Sequence, residues 1–253
     1  MSDAHWPRPQ WQDSGDPAFL LWFVFGDLDP DFRIDAVTYR TRGTPAGFEV
    51  VRYENKALST WDGYPLGGTL GRVLWEESAQ LFERMKSARD CVMLRGAIAD
   101  PSDLDVLRDL VGTIAALCDS GAIAVVDPQT LSMLAAPQWR ERFFDGDAFE
   151  PRDHVLILCD EDDKSTGRMH VHTRGMRKFA RPDIDIRNVP PHAANIAGEL
   201  ADRFVRFQAL GGIVADGMAL DIEGAPSGMT IRHAGSIDDA AFNNRHLALR
   251  WPD

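Results

Sequence analysis

Cysteine is scarce in this sequence, and its three copies form no recognisable pattern. Cys91, Cys118 and Cys159 are the only cysteines among 253 residues, and no Cys-x-x-Cys pair occurs. This spacing excludes a disulfide framework and a cysteine-based zinc site, and it is typical of a protein from a reducing cytosol. We expect the three thiols to be buried, because free cysteine behaves as a small apolar side chain.

Long apolar runs are also missing. The longest one, from Phe19 to Phe25, has seven residues, whereas a membrane-spanning helix needs about 20. The first residues, MSDAHWPRPQWQDSGDP, lack the basic and apolar regions of a signal peptide. The sequence therefore predicts a cytoplasmic protein with no membrane association.

Positive charge is in deficit. The chain has 27 lysines and arginines against 39 aspartates and glutamates, which gives a net charge of -12. Because phosphate contacts dominate nucleic-acid affinity, such an acidic chain is a poor general nucleic-acid binder. We expect an acidic protein whose partner is another protein or a small anionic ligand.

The usual catalytic signatures are absent too. Gly67, Gly68 and Gly71 precede a predicted helix, but no Lys-Ser or Lys-Thr pair follows them, so a phosphate-binding loop of the Walker type is excluded. The sequence has neither a Gly-x-Ser-x-Gly nucleophile elbow nor a dinucleotide-binding glycine fingerprint. No cofactor is evident, and this absence of motifs favours a non-catalytic protein.

Apolar patterning predicts more strands than helices. Period-two or short apolar segments predict strands at 19–25, 33–40, 47–54, 91–98, 122–126, 154–159, 169–173 and 183–189, with three more after 216. Helical periodicity predicts helices at 73–87, 102–121, 130–144 with a break at Pro137, and 190–210. The strand, helix, strand order between 91 and 126 indicates a βαβ crossover with parallel strands.

Together these elements predict an α+β fold. We expect a mostly antiparallel or mixed sheet, helices packed on one face, and at least one βαβ crossover unit. The segments 33–40 and 47–54 form a predicted hairpin around a Gly-Thr-Pro turn. In the last helix, we expect Ile196, Leu200, Phe204 and Phe207 to share the buried face.

No clear linker divides the chain. Residues 1–17 carry three prolines and many polar residues, which indicates a loose N-terminal tail. The remaining residues, 18–253, are interpreted as one α+β domain. A soft boundary near 145–152, between two α+β halves, stays open as the alternative.

One segment differs in charge from the rest of the chain. Residues 168–187, RMHVHTRGMRKFARPDIDIR, contain six basic and two acidic residues, a local net charge of +4. We call residues 168–187 the basic segment. Such a patch on an acidic body is the part of the surface best suited to an anion or an acidic partner.

Two histidines open the basic segment. His170 and His172 are two residues apart, so on a strand both point to the same face and could reach one metal ion or act as acid and base. A metal site needs a third ligand, for which His154, His192, His233 or an acidic residue of 160–163 are the candidates. The alternative interpretation is an exposed strand face of mixed polar residues.

Four basic residues follow the histidines. Arg174, Arg177, Lys178 and Arg181 surround Gly175, whose flexible backbone could present N–H groups to a phosphate or a carboxylate. We therefore predict them as the anion-binding or partner-binding residues. The competing explanation is a surface ion network with the acidic residues of 160–163, Asp183 or Asp185, which would contribute little energy.

Two stretches of the chain resemble a bacterial family described as domain of unknown function 4261. They are 91–133 and 171–207, and the most specific feature is a turn formed by Thr173, Gly175, Met176, Phe179, Pro182 and Asp183. The resemblance implies a self-contained bacterial cytosolic protein and brings no assigned activity. It also implies that Met176 and Phe179 anchor the turn to the core while the basic residues between them face outward.

Two functional hypotheses follow. The first is a non-catalytic binding or regulatory protein, immunity-like in character, that uses the basic segment to hold a protein partner or a small anion. The alternative is a small metal- or histidine-dependent hydrolase, or an enzyme for an anionic ligand, centred on His170, His172 and the neighbouring arginines.

Overall fold

The chain folds into two compact units, each with its own five-stranded sheet. The computed structural model describes residues 5–54, 61, 63–146, 148–222, 225–239 and 241–252. The first unit comprises Met1–Pro7, Phe19–Ile98 and Asp103–Phe149, and the second comprises Arg8–Ala18, Ala99–Ser102 and Glu150–Asp253. Both sheets are mostly antiparallel and carry helices, so the fold class is α+β, as predicted from the sequence.

The first unit contains five strands and four helices among the residues described. In chain order these are β1 (Ala18–Gly26), β2 (Phe48–Glu54), α1 (Gly68–Glu77), α2 (Ala79–Lys86), β3 (Asp90–Ile98), α3 (Asp105–Asp119), β4 (Ala122–Asp127), β5 (Ser132–Ala135) and α4 (Ala136–Phe143). The strand order is β2-β3-β1-β4-β5. Strands β3 and β4, predicted to be crossover partners, belong to this sheet but are separated by the apolar strand β1.

The predicted hairpin at 33–40 and 47–54 is wrong. Strand β2 pairs antiparallel with β3, and residues 33–40 form no strand, with turns at 36–40. The side chain of Asp35 accepts a hydrogen bond from the Thr38 backbone N–H at 2.7 Å, and the Asp35 carbonyl accepts from Tyr39. Aspartate offers the backbone this local alternative to a strand ladder, which overrides the alternating pattern.

Two predicted helices also differ. The predicted helix at 73–87 is divided at Ser78, whose backbone is extended and whose hydroxyl caps α2 by accepting from Leu81. In the predicted helix at 130–144, the first part is strand β5, and Pro137 lies in the first turn of α4. Proline is tolerated there because the first N–H groups of a helix have no intrahelical partner.

The second unit contains five strands and one long helix in the described part of the chain. These are β6 (Leu156–Glu161), β7 (Met169–Arg174), β8 (Asp183–Val189), α5 (Ala194–Ala209), β9 (Arg232–Ala234) and β10 (His246–Arg250). The strand order is β6-β7-β8-β10-β9. Strands β8 and β10 are parallel, whereas β6 with β7, β7 with β8, and β9 with β10 are antiparallel.

Helix α5 packs on one face of the second sheet, but not with the whole predicted stripe. Leu200 and Phe204 are buried, whereas Ile196 is 41% exposed and Phe207 is 38% exposed. The buried face is completed by the small or branched residues Ala197, Ala201, Val205 and Ala209. Small side chains let the helix axis lie close to the sheet. The helix therefore turns its small residues, and not Ile196 and Phe207, towards the core.

The predicted loose tail is held in place where it is described. Arg8 is buried, and it donates hydrogen bonds to Asp100 and to backbone carbonyls of the second unit. Residues 8–18 accordingly belong to that unit, together with 99–102. The last boundary between the two units along the chain lies between Phe149 and Glu150, within the range 145–152 that the sequence left open as a domain boundary. Within the described ranges, no helix is long and apolar enough to cross a membrane.

Candidate functional site

The second sheet has one apolar face and one polar face. Val171, Ile184 and Leu247 belong to the core cluster that includes α5. Because side chains alternate along a strand, their neighbours His172, Asp185 and His246 lie on the opposite face. The pairing of His172 with Asp185 across β7 and β8 confirms this placement. We call the cluster formed by His170, His172, Asp185, Phe242 and His246 the histidine face.

The two predicted histidines lie side by side on this face. Their rings stack at 4.3 Å with an angle of 12°. His170 Nε2 lies 2.5 Å from Asp185 Oδ1, and His172 Nε2 lies 3.1 Å from Asp160 Oδ2. Their side chains are only 11% and 13% exposed. The alternative of an exposed polar strand face is therefore wrong.

A loop covers the histidine face. Residues 235–245, described except for 240, carry Phe242, which stacks on His246 at 4.4 Å and meets His172 edge-on at 5.9 Å. His246 Nε2 lies 3.7 Å from Asp185 Oδ2. Gly235 makes room for the ring, since a Cβ there would lie 2.7 Å from His246 Nδ1. We call 235–245 the covering loop.

Burial lowers the pKa of the two covered imidazoles. It lowers the pKa of His172, although the hydrogen bond that this ring donates to Asp160 acts in the opposite direction, and it lowers the pKa of His246. Both Nδ1 atoms are buried, and no described residue forms a hydrogen bond with either of them. Burial alone would raise the pKa of Asp185, but its hydrogen bond to His170 and the charges of His170, Arg187 and His246 bring that pKa below its ordinary value.

The histidines do not assemble a metal centre. Among the described residues, no group of three or more His, Cys, Asp or Glu side chains could hold a metal ion. The Nε2 atoms of His170 and His172 are directed at two different carboxylates. Of the proposed third ligands, His154 lies buried against Phe179 and His233 Nε2 contacts the Val214 carbonyl. The candidate Asp160 is hydrogen-bonded to His172, and within the described part of the chain these residues form no set of three ligands.

Two of the four predicted anion-binding residues are buried, so the expectation that they face outward is wrong. Lys178 is 1% exposed, and its Nζ donates to the His154 carbonyl at 2.8 Å. Arg181 is 2% exposed, and its guanidinium donates to backbone carbonyls and to a carboxylate. Its carbonyl partners include Gln12, Gly211 and Gly212. These donors are already used by the fold.

The carboxylate partner of Arg181 is Asp100, which also binds Arg8. The Nη1 atoms of Arg8 and Arg181 lie 2.7 Å and 2.5 Å from the two oxygens of Asp100. Burial would raise the pKa of Asp100, but the hydrogen bonds from Arg181, Ser14 and Arg8 lower it below the ordinary value. We call Arg8, Asp100 and Arg181 the buried ion cluster. No local sequence pattern predicts this cluster, because its three residues lie far apart in the chain.

The other two predicted residues hold the covering loop. Arg174 Nη1 donates to the Ala241 carbonyl, and Arg177 Nη1 donates to the Asn243 carbonyl at 3.3 Å. Burial lowers the pKa of both guanidinium groups. The predicted network with the acidic residues exists at Arg187 instead, which pairs with Asp162 and Asp163.

Asp183 lies under the end of the covering loop. It accepts hydrogen bonds from the Thr173 hydroxyl, the Met176 N–H and the Asn244 side-chain amide. Burial nevertheless has the largest influence on this carboxyl and raises its pKa to about 6. Asn244 also donates to the Arg181 carbonyl at 2.9 Å, so this residue fixes the loop end to the turn of the basic segment.

A cleft of about 180 Å³ opens beside the basic segment, within the second unit. Three arginines, Arg177, Arg181 and Arg245, line it together with Asp16, Ser236 and Asn244. Arg245 Nη1 lies 3.0 Å from Asp16 Oδ2, and both side chains are substantially exposed. We call this the arginine cleft. It unites two predicted residues with Arg245, for which the sequence carries no signal.

No protein-family model, curated protein or solved structure matches this chain. The resemblance to domain of unknown function 4261 therefore stays a prediction. Function has to be argued from the residues of the two surfaces just described.

Proposed function

We propose that this protein is a non-catalytic binding protein, whose second unit takes an oxyanion, such as a carboxylate or a phosphate, in the arginine cleft. The observation that carries the proposal is that Arg177 and Arg245, with the buried Arg181 beside them, line one small cavity of a chain with net charge -12. Arginine is the side chain best suited to such groups, because its planar fork matches the two oxygens of a carboxylate or phosphate.

The Asp16 carboxylate supports this choice of ligand chemistry. Its contact with Arg245 is an intramolecular example of the interaction that an incoming carboxylate would make. Because both partners are exposed, their ion pair contributes little free energy, and a ligand can replace it. The source of the anion is either a small metabolite or an acidic side chain on a partner protein.

One observation favours the hydrolase alternative, and another opposes it. The contact of 2.5 Å between His170 and Asp185 has the geometry of a general base oriented by a carboxylate. A hydrolase of this kind also needs a nucleophile within hydrogen-bond reach of the base. In the described residues, the hydrogen bonds of His170 and His172 run to carboxylates, and none runs to a hydroxyl or thiol. The binding function is therefore our choice.

Binding is tested with sulfate and with an acidic peptide, using calorimetry at pH 7.5 and low ionic strength. We expect both to bind, and we expect Arg245→Gln to weaken binding by about tenfold or more, as loss of a charge-assisted pair implies. Arg232→Gln is the matched control, because Arg232 is an exposed arginine of the same unit outside the cleft. Sulfate binding without peptide binding assigns the site to small anions.

The proposal is wrong if neither probe binds at millimolar concentration. It is also wrong if Arg232→Gln weakens binding as much as Arg245→Gln does, since that would indicate general charge attraction instead of a defined site.

A further inference from the structure

The covering loop connects the histidine face to the arginine cleft. Its residue Phe242 lies against His172 and His246. Its residues Ser236 and Asn244 line the cleft, next to Arg245 at the loop end. A change at the histidine face that displaces this loop therefore also changes a wall of the cleft.

Both covered histidines have a buried ring nitrogen to which the described residues provide no hydrogen-bond partner. His172 Nε2 contacts the Asp160 carboxylate, which can only accept, so this nitrogen carries the hydrogen and Nδ1 is a bare lone pair. Among the residues that the structure describes, neither His172 Nδ1 nor His246 Nδ1 has a hydrogen-bond partner, and both atoms are buried. Protonation of His172 would place a positively charged N–H donor at this buried Nδ1, which is strongly unfavourable unless the ring reaches water.

Charged neighbours face these rings from every side. His172 faces His170 on its own strand, Asp160 on β6 and Asp185 on β8. His246 faces Asp185 and Arg187 on β8, Asp239 in the covering loop, and Lys164 in the turn between β6 and β7. The carboxylates favour the proton, but burial is the larger influence on both rings. The adjacent stacked ring of His170 adds further repulsion to a charged His172.

We propose that His172 and His246 form a proton-sensitive latch on the covering loop. In the neutral state Phe242 packs on both rings and the loop completes the arginine cleft. Protonation turns the rings towards water, releases Phe242 and opens the wall of the cleft. The effect on ligands rests on the proposed function, whereas the effect on the loop does not.

The direction of the pH dependence follows from the lowered pKa values. A histidine whose pKa is lower in the closed state binds its proton more readily in the open state. The closed state is therefore fully stable above the ordinary histidine pKa, about 6.5, and it loses stability as the pH falls below that value. Asp183 works in the opposite direction, because burial raises its pKa and the protonated carboxyl suits its buried position.

Hydrogen exchange read by mass spectrometry tests the latch without any ligand. We expect residues 235–245 to exchange about tenfold faster at pH 5.5 than at pH 7.5, after correction for intrinsic rates, because protonation of the histidines favours the open loop. Exchange in α5 should not change. The double variant His172→Gln, His246→Gln should remove this dependence, while His192→Gln, at an exposed position, should retain it.

A second measurement protects the test against a poorly folded variant. Phe242→Ala removes the packing but leaves both histidines, so its loop should exchange fast at both pH values. In the wild-type protein, NMR titration of the two rings should give midpoints that coincide with loop opening. Loop exchange that is independent of pH, or that keeps its pH dependence in the double variant with α5 protected, would overturn the latch.

Sulfate binding separates the latch from the proposed function, because the charge of sulfate is constant between pH 5.5 and 7.5. We expect sulfate affinity to fall in acid in the wild type and to stay constant in the double variant. If the loop opens in acid but sulfate binds at neither pH, the proposed function is wrong and the latch stands. If sulfate binds equally at both pH values while the loop stays closed, the latch is wrong and the binding function stands.

Discussion

Removing the charge of Asp100 should destabilise the second unit more than any surface charge change. Its carboxylate is fully buried between the guanidinium groups of Arg8 and Arg181, at 2.7 Å and 2.5 Å. Asp100→Asn keeps the shape of the side chain but leaves two buried cations without a counter-charge. It also directs an amide donor at an arginine donor.

The expected magnitude follows from this geometry. Breaking a buried ion pair by removing one partner costs about 3–5 kcal/mol, and here two arginines lose the same partner. We therefore expect the free energy of unfolding to fall by about 4 kcal/mol. With a urea dependence of about 2 kcal/mol per molar, the unfolding midpoint of this unit should fall by about 2 M.

The assay is urea unfolding followed by circular dichroism, with hydrogen exchange in α5 to assign the transition to the second unit. Asp163→Asn is the matched control, because Asp163 is 76% exposed in its ion pair with Arg187. Such a pair contributes about 0–1 kcal/mol. The triple variant Arg8→Met, Asp100→Leu, Arg181→Met removes all three charges, and it should be less destabilised than Asp100→Asn.

Two outcomes would refute this reasoning. If Asp100→Asn unfolds within about 1 kcal/mol of the wild type, as surface pairs do, the carbonyl partners of the arginines suffice to hold their charge. If the triple variant is the less stable one, packing and hydrogen bonding, rather than charge balance, account for the effect of the cluster.

Two further predictions concern thiols and a buried carboxyl. Burial raises the pKa of Cys91 and raises that of Cys118 to about 12, whereas Cys159 is exposed on the edge strand β6. A thiol reagent should therefore label Cys159 first and Cys91 only after unfolding. Rapid labelling of Cys91 in the native protein would contradict its burial. The pKa of Asp183 is raised from 3.8 to about 6, so its stabilising contribution is complete below 3.8 and is lost as the pH rises through 6. Its ionisation at pH 7.5 costs about 3 kcal/mol, and the wild type should gain stability relative to Asp183→Asn when the pH is lowered from 7.5 to 5. Thermal melts at both pH values measure this difference, and an unchanged difference would contradict the raised pKa.

The sequence determined those features that depend on neighbours along the chain. Alternation of polar and apolar residues in β7 and β8 predicted both strands and placed His170 and His172 on one face. Helical periodicity predicted α3 and α5. Local patterns were less reliable where one side chain competed for the backbone, as Asp35 does in the turn at 33–40 and Ser78 does between α1 and α2.

The tertiary structure alone decided which charges are buried and what they contact. The basic segment is conspicuous in sequence, yet Lys178 and Arg181 are buried, because folding brings Asp100 and backbone carbonyls from distant segments onto them. The cleft and the histidine face both depend on the parallel pairing of β8 with β10, which brings the covering loop next to β7. The number of charges is a property of the chain, whereas their solvation and partners are set by contacts between residues far apart in sequence, and no local pattern encodes those contacts.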